Sequence, residues 1–268
     1  MNKYLTIHHK KIHYTDIGQG YPVILLHGYL ESLSVWGNFA QQLSEKYRVI
    51  ALDIPGHGKS EALAEKHSME MLAECVYDAL RMMKIHQCLM IGHSMGGYVT
   101  LMVHHLYPEL LFGFSLFHSH PFADTEETRK NRIREIDLVK NGKKDILAKV
   151  NIPNGFAQKN LIDLRDEVNR SKAIAIKTPA KGIIANLYAM KNRPDFSDEL
   201  AQTSKPFLLI AGKHDNYISY KSVILRIKLP KKSFVCLLEN SGHMGFIEEK
   251  EKALECIEGF IPTIEKFK

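Results

Sequence analysis

Hydrophobic and polar positions along the 268-residue chain follow two regimes, and the boundary between them organises the rest of the sequence. Segments 4–8 and 12–17 alternate apolar with polar residues, the pattern of an antiparallel hairpin with one wet face. Six uninterrupted apolar runs follow, at 23–26, 49–52, 88–91, 112–117, 207–211 and 234–238. Short runs of this kind, bounded by turn residues, predict strands buried on both faces. Between them lie stretches of helical period, such as 69–83 and 97–106. That alternation implies right-handed crossovers and a mostly parallel sheet, so the expected class is α/β with eight strands, the third to the eighth buried.

The alternation breaks between Ala123 and Ser204, where the period is helical and no convincing strand occurs. Residues 129–141 place Ile133, Ile136 and Val139 on one stripe before Gly142, and a later helix is expected to take Thr178 as its cap with Pro179 in its first turn. The chain therefore divides into a core of residues 1–122 and 205–268 and a helical insertion, 123–204.

One turn carries the chemistry. Gly92-His93-Ser94-Met95-Gly96 follows the run 88–91 and leads into a helical stretch. Glycine on both flanks suits a tight strand-to-helix turn, because a side chain at 92 or 96 would collide with its neighbours. Such a turn lifts the Ser94 hydroxyl into open space at the end of a sheet. It also sets the Met95 amide at a helix N-terminus, where an oxyanion can be stabilised. A serine alone is a weak nucleophile and needs a base and an orienting acid. Asp215 follows the run 207–211, and His243 follows the run 234–238, each in a loop at a strand end. The order Ser, Asp, His separates this arrangement from other chain orders of the same triad. Asp124, beyond the sixth strand, is the rival acid.

On these motifs the chain resembles the α/β-hydrolase family over nearly its whole length. His27-Gly28-Tyr29 is similar to that family's oxyanion loop, and the segment from Asp53 to Ser60 resembles the turn after its fourth strand. Gly212-Lys213-His214-Asp215-Asn216-Tyr217-Ile218 resembles its acid loop, which favours Asp215 over Asp124. The resemblance implies an eight-stranded, mostly parallel sheet with helices on both faces and an all-helical cap after strand six. It also implies an oxyanion hole formed by the Tyr29 and Met95 amides. The implied activity is hydrolysis of a small or medium carboxylic ester or lactone through an acyl-enzyme, with no cofactor and no metal. Leu30, Trp36, His120, Phe122 and Met244 are expected to border the pocket. His27, His57 and His93 are expected to support turns. His118 and His120 follow strand six and are placed to reach the pocket, but they lack a third metal ligand at familiar spacing. Ser94 excludes the relatives that form an alkyl-enzyme through aspartate. Carbon–carbon bond hydrolysis and cofactor-free perhydrolysis use the same triad, and a noncatalytic ligand receptor can keep the same fold; these stand as alternatives.

Composition sets outer bounds. With 45% hydrophobic residues the chain can bury a large core. Its first residues are interrupted by polar ones too early for a signal peptide, and no apolar stretch is long enough to cross a bilayer. Cys75, Cys88, Cys236 and Cys256 lack metal-ligand spacing and read as reduced core residues of a cytoplasmic protein. The net charge of +6 is unevenly spread: from Glu126 to Arg193, 16 Lys and Arg meet 8 Asp and Glu, a net of +8 against −2 elsewhere. That surplus reads either as solvated helix faces or as a rim that steers anionic substrates. No nucleic-acid module accompanies it, so a small-molecule acyl substrate is the expected partner. Nothing in the pattern specifies an oligomer.

Overall fold

The computed structural model describes residues 3–265. Eight strands form one sheet: β1 (Lys3–Ile7), β2 (Lys10–Ile17), β3 (Pro22–Leu26), β4 (Arg48–Leu52), β5 (Cys88–His93), β6 (Leu111–Phe117), β7 (Phe207–Gly212) and β8 (Ser233–Leu238). Their spatial order is β1-β2-β4-β3-β5-β6-β7-β8. The strands from β3 to β8 run parallel, and the β1–β2 hairpin joins them antiparallel through β4. Each uninterrupted apolar run became a strand because a parallel sheet covered on both faces hides every position. All six residues of β5 and of β7 are buried. The expectation fails at β8, where Phe234 and Val235 are 39% and 43% exposed. This strand pairs only with β7 and forms the sheet edge.

The helices are α1 (Gly37–Leu43), α2 (Met69–Met82), α3 (Met95–Leu106), α4 (Glu126–Lys140), α5 (Lys144–Gly155), α6 (Arg165–Lys177), α7 (Ala180–Lys191), α8 (Ser197–Gln202), α9 (Tyr220–Arg226), α10 (Gly245–Glu248) and α11 (Lys250–Glu265). Helix α2 shows how the pattern dictates an element. Ser68 caps it by accepting from the Met71 amide, and Leu72, Cys75, Val76, Ala79 and Leu80 recur at helical spacing on its buried face. A fully buried leucine on such a face contributes about 1.5–3 kcal/mol. Helix α3 packs on β3, β5 and β6, and α11 packs on β7 and β8.

Between β6 and β7 the described residues hold α4 to α8 and no strand. Helix α4 starts earlier than the periodicity suggested, because the Thr125 hydroxyl accepts from the Thr128 amide and caps it there. Ile136 and Val139 are buried, but Ile133 is turned outward. Thr178 does not cap the following helix. It closes α6 instead, its hydroxyl directed back at the Ile174 carbonyl, and extended Pro179 delays α7 to Ala180.

The cysteine reading is corrected at one pair. Packing of α11 on β8 brings Cys236 and Cys256 to a Cα separation of 6.3 Å, and they form a disulfide. The argument from cysteines for a reducing compartment thereby loses two of its four residues. Cys75 and Cys88 are free and buried, and burial pushes the Cys75 thiol up to about 12. Among the described residues no helix is long and apolar enough to cross a membrane.

Sheet order decides where ligands can enter. β4 lies on one side of β3 and β5 on the other, so the loops leaving the C-terminal ends of β3 and β5 diverge and open a crevice. The β3 loop carries His27-Gly28-Tyr29, and the β5 end carries Ser94.

Candidate active site

Ser94 joins β5 to α3 with φ 49° and ψ −113°. A non-glycine residue there costs on the order of 1–3 kcal/mol, which the surrounding packing must offset. The offset is visible: the Ser94 amide donates to the Phe117 carbonyl at 3.0 Å, and the Ser94 carbonyl accepts from Gly97 N–H at 2.9 Å and Ser119 Oγ at 2.8 Å. Both flanking glycines are required by close approach. A Cβ at Gly92 would run into the Gly96 carbonyl, and one at Gly96 into the Leu26 carbonyl of β3. The strand–helix crossing is therefore tight enough to force the serine outward, and Ser94 lines a cavity at this end of the sheet.

His243 stands on the loop after β8, lines the same cavity and places its Nδ1 2.7 Å from Asp215 Oδ2. The other Asp215 oxygen accepts from the Tyr217 and Ile218 amides at 2.8 and 2.9 Å. His118, at the end of β6, brings its own Nδ1 to 3.3 Å from the same Asp215 Oδ2. Its Nε2 accepts from the Gly245 amide at 3.2 Å. Burial alone would raise the Asp215 carboxyl, but the charge of His243 and bonds from both histidines hold it far below the usual range. For His243, burial opposes the imidazolium and Asp215 outweighs it, so the imidazole is raised above its ordinary value. His118 behaves oppositely: burial overrides its bond to Asp215 and pushes it down to about 4, leaving it neutral.

The β3 loop is shaped by partners that no motif announced. Glu31 Oε2 accepts from the Gly28 amide at 2.6 Å and lies 3.0 Å from His93 Nδ1, while His93 Nε2 donates to the His243 carbonyl at 2.8 Å. Leu30 N–H donates to His57 Nε2 at 3.2 Å, and Ile54 N–H donates to His27 Nε2 at 2.9 Å. With the Glu31 amide donating to the Gly28 carbonyl at 3.4 Å, the amides of Gly28, Leu30 and Glu31 are all taken up, and Tyr29 itself lines the cavity. Burial lowers His27, and it lowers His57 strongly, so neither ring carries charge beside the loop.

The cavity measures about 420 Å³, within the range of small-molecule sites. Leu30, His120, Phe122 and Met244, expected to border the pocket, line this cavity together with Ser94 and His243. Trp36 does not. It is 1% exposed and packs on Phe246 and Phe39 behind the loop, because a side chain this large is worth most in the core. Asp215 sits beneath His243, and Met95 is fully buried at the start of α3. Asp124 is held away from His243 by other partners: Arg193 Nη1 donates to one of its oxygens, and Arg132 Nε donates to the other at 3.2 Å. Glu31, Arg132 and Arg193 were not singled out from the sequence as parts of the site, whereas His118 was read as placed to reach the pocket, with no partner named for it. The only signal for His118 was its position just after the sixth apolar run. The insertion's arginines carried none beyond net charge. Space also supplies what spacing could not: among the described residues, His118, Asp215 and His243 form the one grouping with a metal-like donor set. Their ligand atoms are already engaged with one another and, at His118, with a backbone amide.

Comparison with known proteins agrees with this fold. A family model described as the alpha/beta hydrolase fold matches residues 21–142. The chain is 28% identical over 257 residues to the pimeloyl-[acyl-carrier protein] methyl ester esterase of Aeromonas hydrophila, covering 91% of this chain and 96% of that one. An esterase from Thermogutta terrifontis, solved with malate bound, superposes with a TM-score of 0.93 at 23% identity, covering 98% and 99% of the two chains. An enol-lactonase from Burkholderia xenovorans gives a TM-score of 0.90 at 20% identity, covering 97% and 100%. The chain is an α/β-hydrolase-fold enzyme, a hydrolase.

Proposed function

We propose that this α/β-hydrolase-fold enzyme is a serine hydrolase that cleaves a small or medium carboxylic ester or lactone through an acyl-enzyme. The observation that carries the reading is the 2.7 Å contact between His243 Nδ1 and Asp215, with Ser94 held at positive φ on the wall of the same cavity. In this scheme His243 takes the Ser94 proton as the hydroxyl attacks the acyl carbon. Asp215 keeps the imidazole proton on Nδ1 and stabilises the imidazolium. The Tyr29 and Met95 amides receive the oxyanion, a donor pair in which losing one member costs about 100- to 1000-fold. His243 returns the proton to the leaving alkoxide and then activates water to release the acid. The helical insertion, residues 123–204, serves as a lid whose inner side selects the substrate. The Aeromonas esterase and the Burkholderia enol-lactonase support an ester or lactone as the substrate class.

A fluorophosphonate probe with intact-mass detection tests the assignment. One equivalent of label on the wild-type protein, absent from Ser94→Ala, is the expected result. An unlabelled wild-type protein would overturn it.

A further inference from the structure

The helical side of the cavity carries charge that acyl transfer at Ser94 does not use. Five side chains form a ladder along it. Arg226, at the end of α9, lies over the Phe122 ring at 3.9 Å. Phe122 stacks on His120 with ring centres 5.2 Å apart, His120 leans on Tyr98 at 5.5 Å, and Arg193 lies over the Tyr98 ring at 3.9 Å. All five border the cavity.

The guanidinium groups are not equally committed. Arg193 donates to the Phe122 and Met190 carbonyls and to Asp124. Arg132, also on the cavity wall, gives its Nε to Asp124 and feels the charge of Glu135. One aspartate thus serves two arginines. Arg226 has no ion pair within 4 Å among the described residues, and Asp195, whose charge it feels, is taken up by the Ala123 and Ser197 amides. His120 adds a neutral donor: the Phe122 amide donates to its Nδ1 at 3.2 Å, which leaves the ring proton on Nε2. Burial and the surrounding arginines push this imidazole down to about 3. A guanidinium lying flat on an aromatic face keeps its N–H edge free for a planar anion.

We propose that the cavity takes substrates carrying a free carboxylate in addition to the scissile acyl group, such as a monoester of a dicarboxylic acid or a carboxylate-bearing lactone. The carboxylate is received by Arg226, Arg132 and His120 Nε2–H while the acyl carbon rests at Ser94; the position of the acyl group rests on the serine-hydrolase reading. A neutral ester leaves the surplus charge to water. A carboxylate brought into the cleft gains charge-assisted hydrogen bonds instead.

Turnover and binding test this separately. The wild type should favour monomethyl glutarate over dimethyl glutarate in kcat/KM by about tenfold or more, the scale of a charge-assisted hydrogen bond. Arg226→Gln should bring that ratio near one, while Lys221→Gln, an exposed charge on the same helix, should keep it. Equal constants in the wild type, or a preference that survives Arg226→Gln, would overturn the proposal. Calorimetric titration of Ser94→Ala with glutarate should show binding that weakens by about tenfold with Arg226→Gln added. Glutarate that fails to bind would overturn the anion site whatever the turnover. Glutarate binding without fluorophosphonate labelling of the wild type would overturn the serine-hydrolase reading and support the anion site.

Discussion

At the end of the sheet, Asp215, His243, His118, His93 and Glu31 are buried and joined to one another or to nearby backbone by hydrogen bonds. On the outer side of α4, by contrast, Arg129, Lys130 and Lys140 face water, and only Arg132 turns inward to share Asp124 with Arg193. The first region has a unique arrangement because every buried polar group in it needs a partner. The second tolerates many sequences, since a solvated lysine constrains nothing. The proposed reading accordingly puts chemistry on the buried floor and substrate choice on a few side chains of the cavity wall. The difference is testable residue by residue.

Ser94→Ala is the most severe test. Removing the proposed nucleophile should lower turnover of an activated ester by roughly 10⁵- to 10⁶-fold. The fold should survive, because Ser94 stands at a turn and its side chain makes no capping bond. Circular dichroism and a kinetic assay on protein free of other esterases check both halves. Activity of a few per cent would move the chemistry away from this floor.

Two aspartates place the boundary between the regions. Asp215→Asn should reduce turnover by roughly 10⁴-fold through the wrong imidazole tautomer. Asp124→Asn should leave most of the turnover but cost on the order of 3 kcal/mol of stability, because it strips a buried arginine of its counter-charge. Steady-state rates and denaturation midpoints separate the two. The reverse ranking in rate would put the acid on the β6 loop.

The same contrast explains what could be read before the structure was known. Strands and the Ser94 turn were legible because they rest on local rules: uninterrupted apolar runs, and glycines wherever backbone crosses backbone. Glu31 was not, and of His118 only its place after the sixth strand was legible, not its contact with Asp215, since a buried acid and a buried histidine look like surface residues in a sequence until tertiary contacts supply their partners. Trp36 misled for the converse reason: adjacency to the oxyanion loop in sequence says nothing about which side of the loop a ring occupies. Cys236 and Cys256 met only because α11 folds back on the sheet edge, a contact with no spacing signature. The insertion's net charge was countable, but which arginine points inward depends on α4 packing against α7.

His118 tests how far the floor extends. In the proposed mechanism His243 must be neutral to act as base, and Asp215 raises it above its ordinary 6.5, so kcat/KM should rise with pH through a midpoint above that value. His118→Ala removes a second partner from Asp215. The carboxylate then stabilises the His243 imidazolium more strongly, so the acid limb should move to higher pH, with kcat down about tenfold and KM little changed. A pH–rate profile that loses height without moving would reduce His118 to packing.

The smallest expected effect belongs to the outer wall. Arg129, Lys130 and Arg134 are exposed, and Arg134 reaches only the neighbouring Asn131. Neutralising all three should change stability by no more than about 0.5 kcal/mol per site. It should alter the preference for an acid ester over a neutral one by less than about twofold at 0.15 M salt, where charges are screened beyond about 8 Å. Contact with Arg226 and Arg132 on the cavity wall acts at hydrogen-bond range and is weakened less by salt, whereas steering acts at a distance and fades with it. The measurement is therefore the ratio of specificity constants for the two esters at low and high salt, in the wild type and in the triple variant. A ratio that collapses with salt and with the triple variant would transfer substrate choice from the inward-facing arginines to the field of the outer surface.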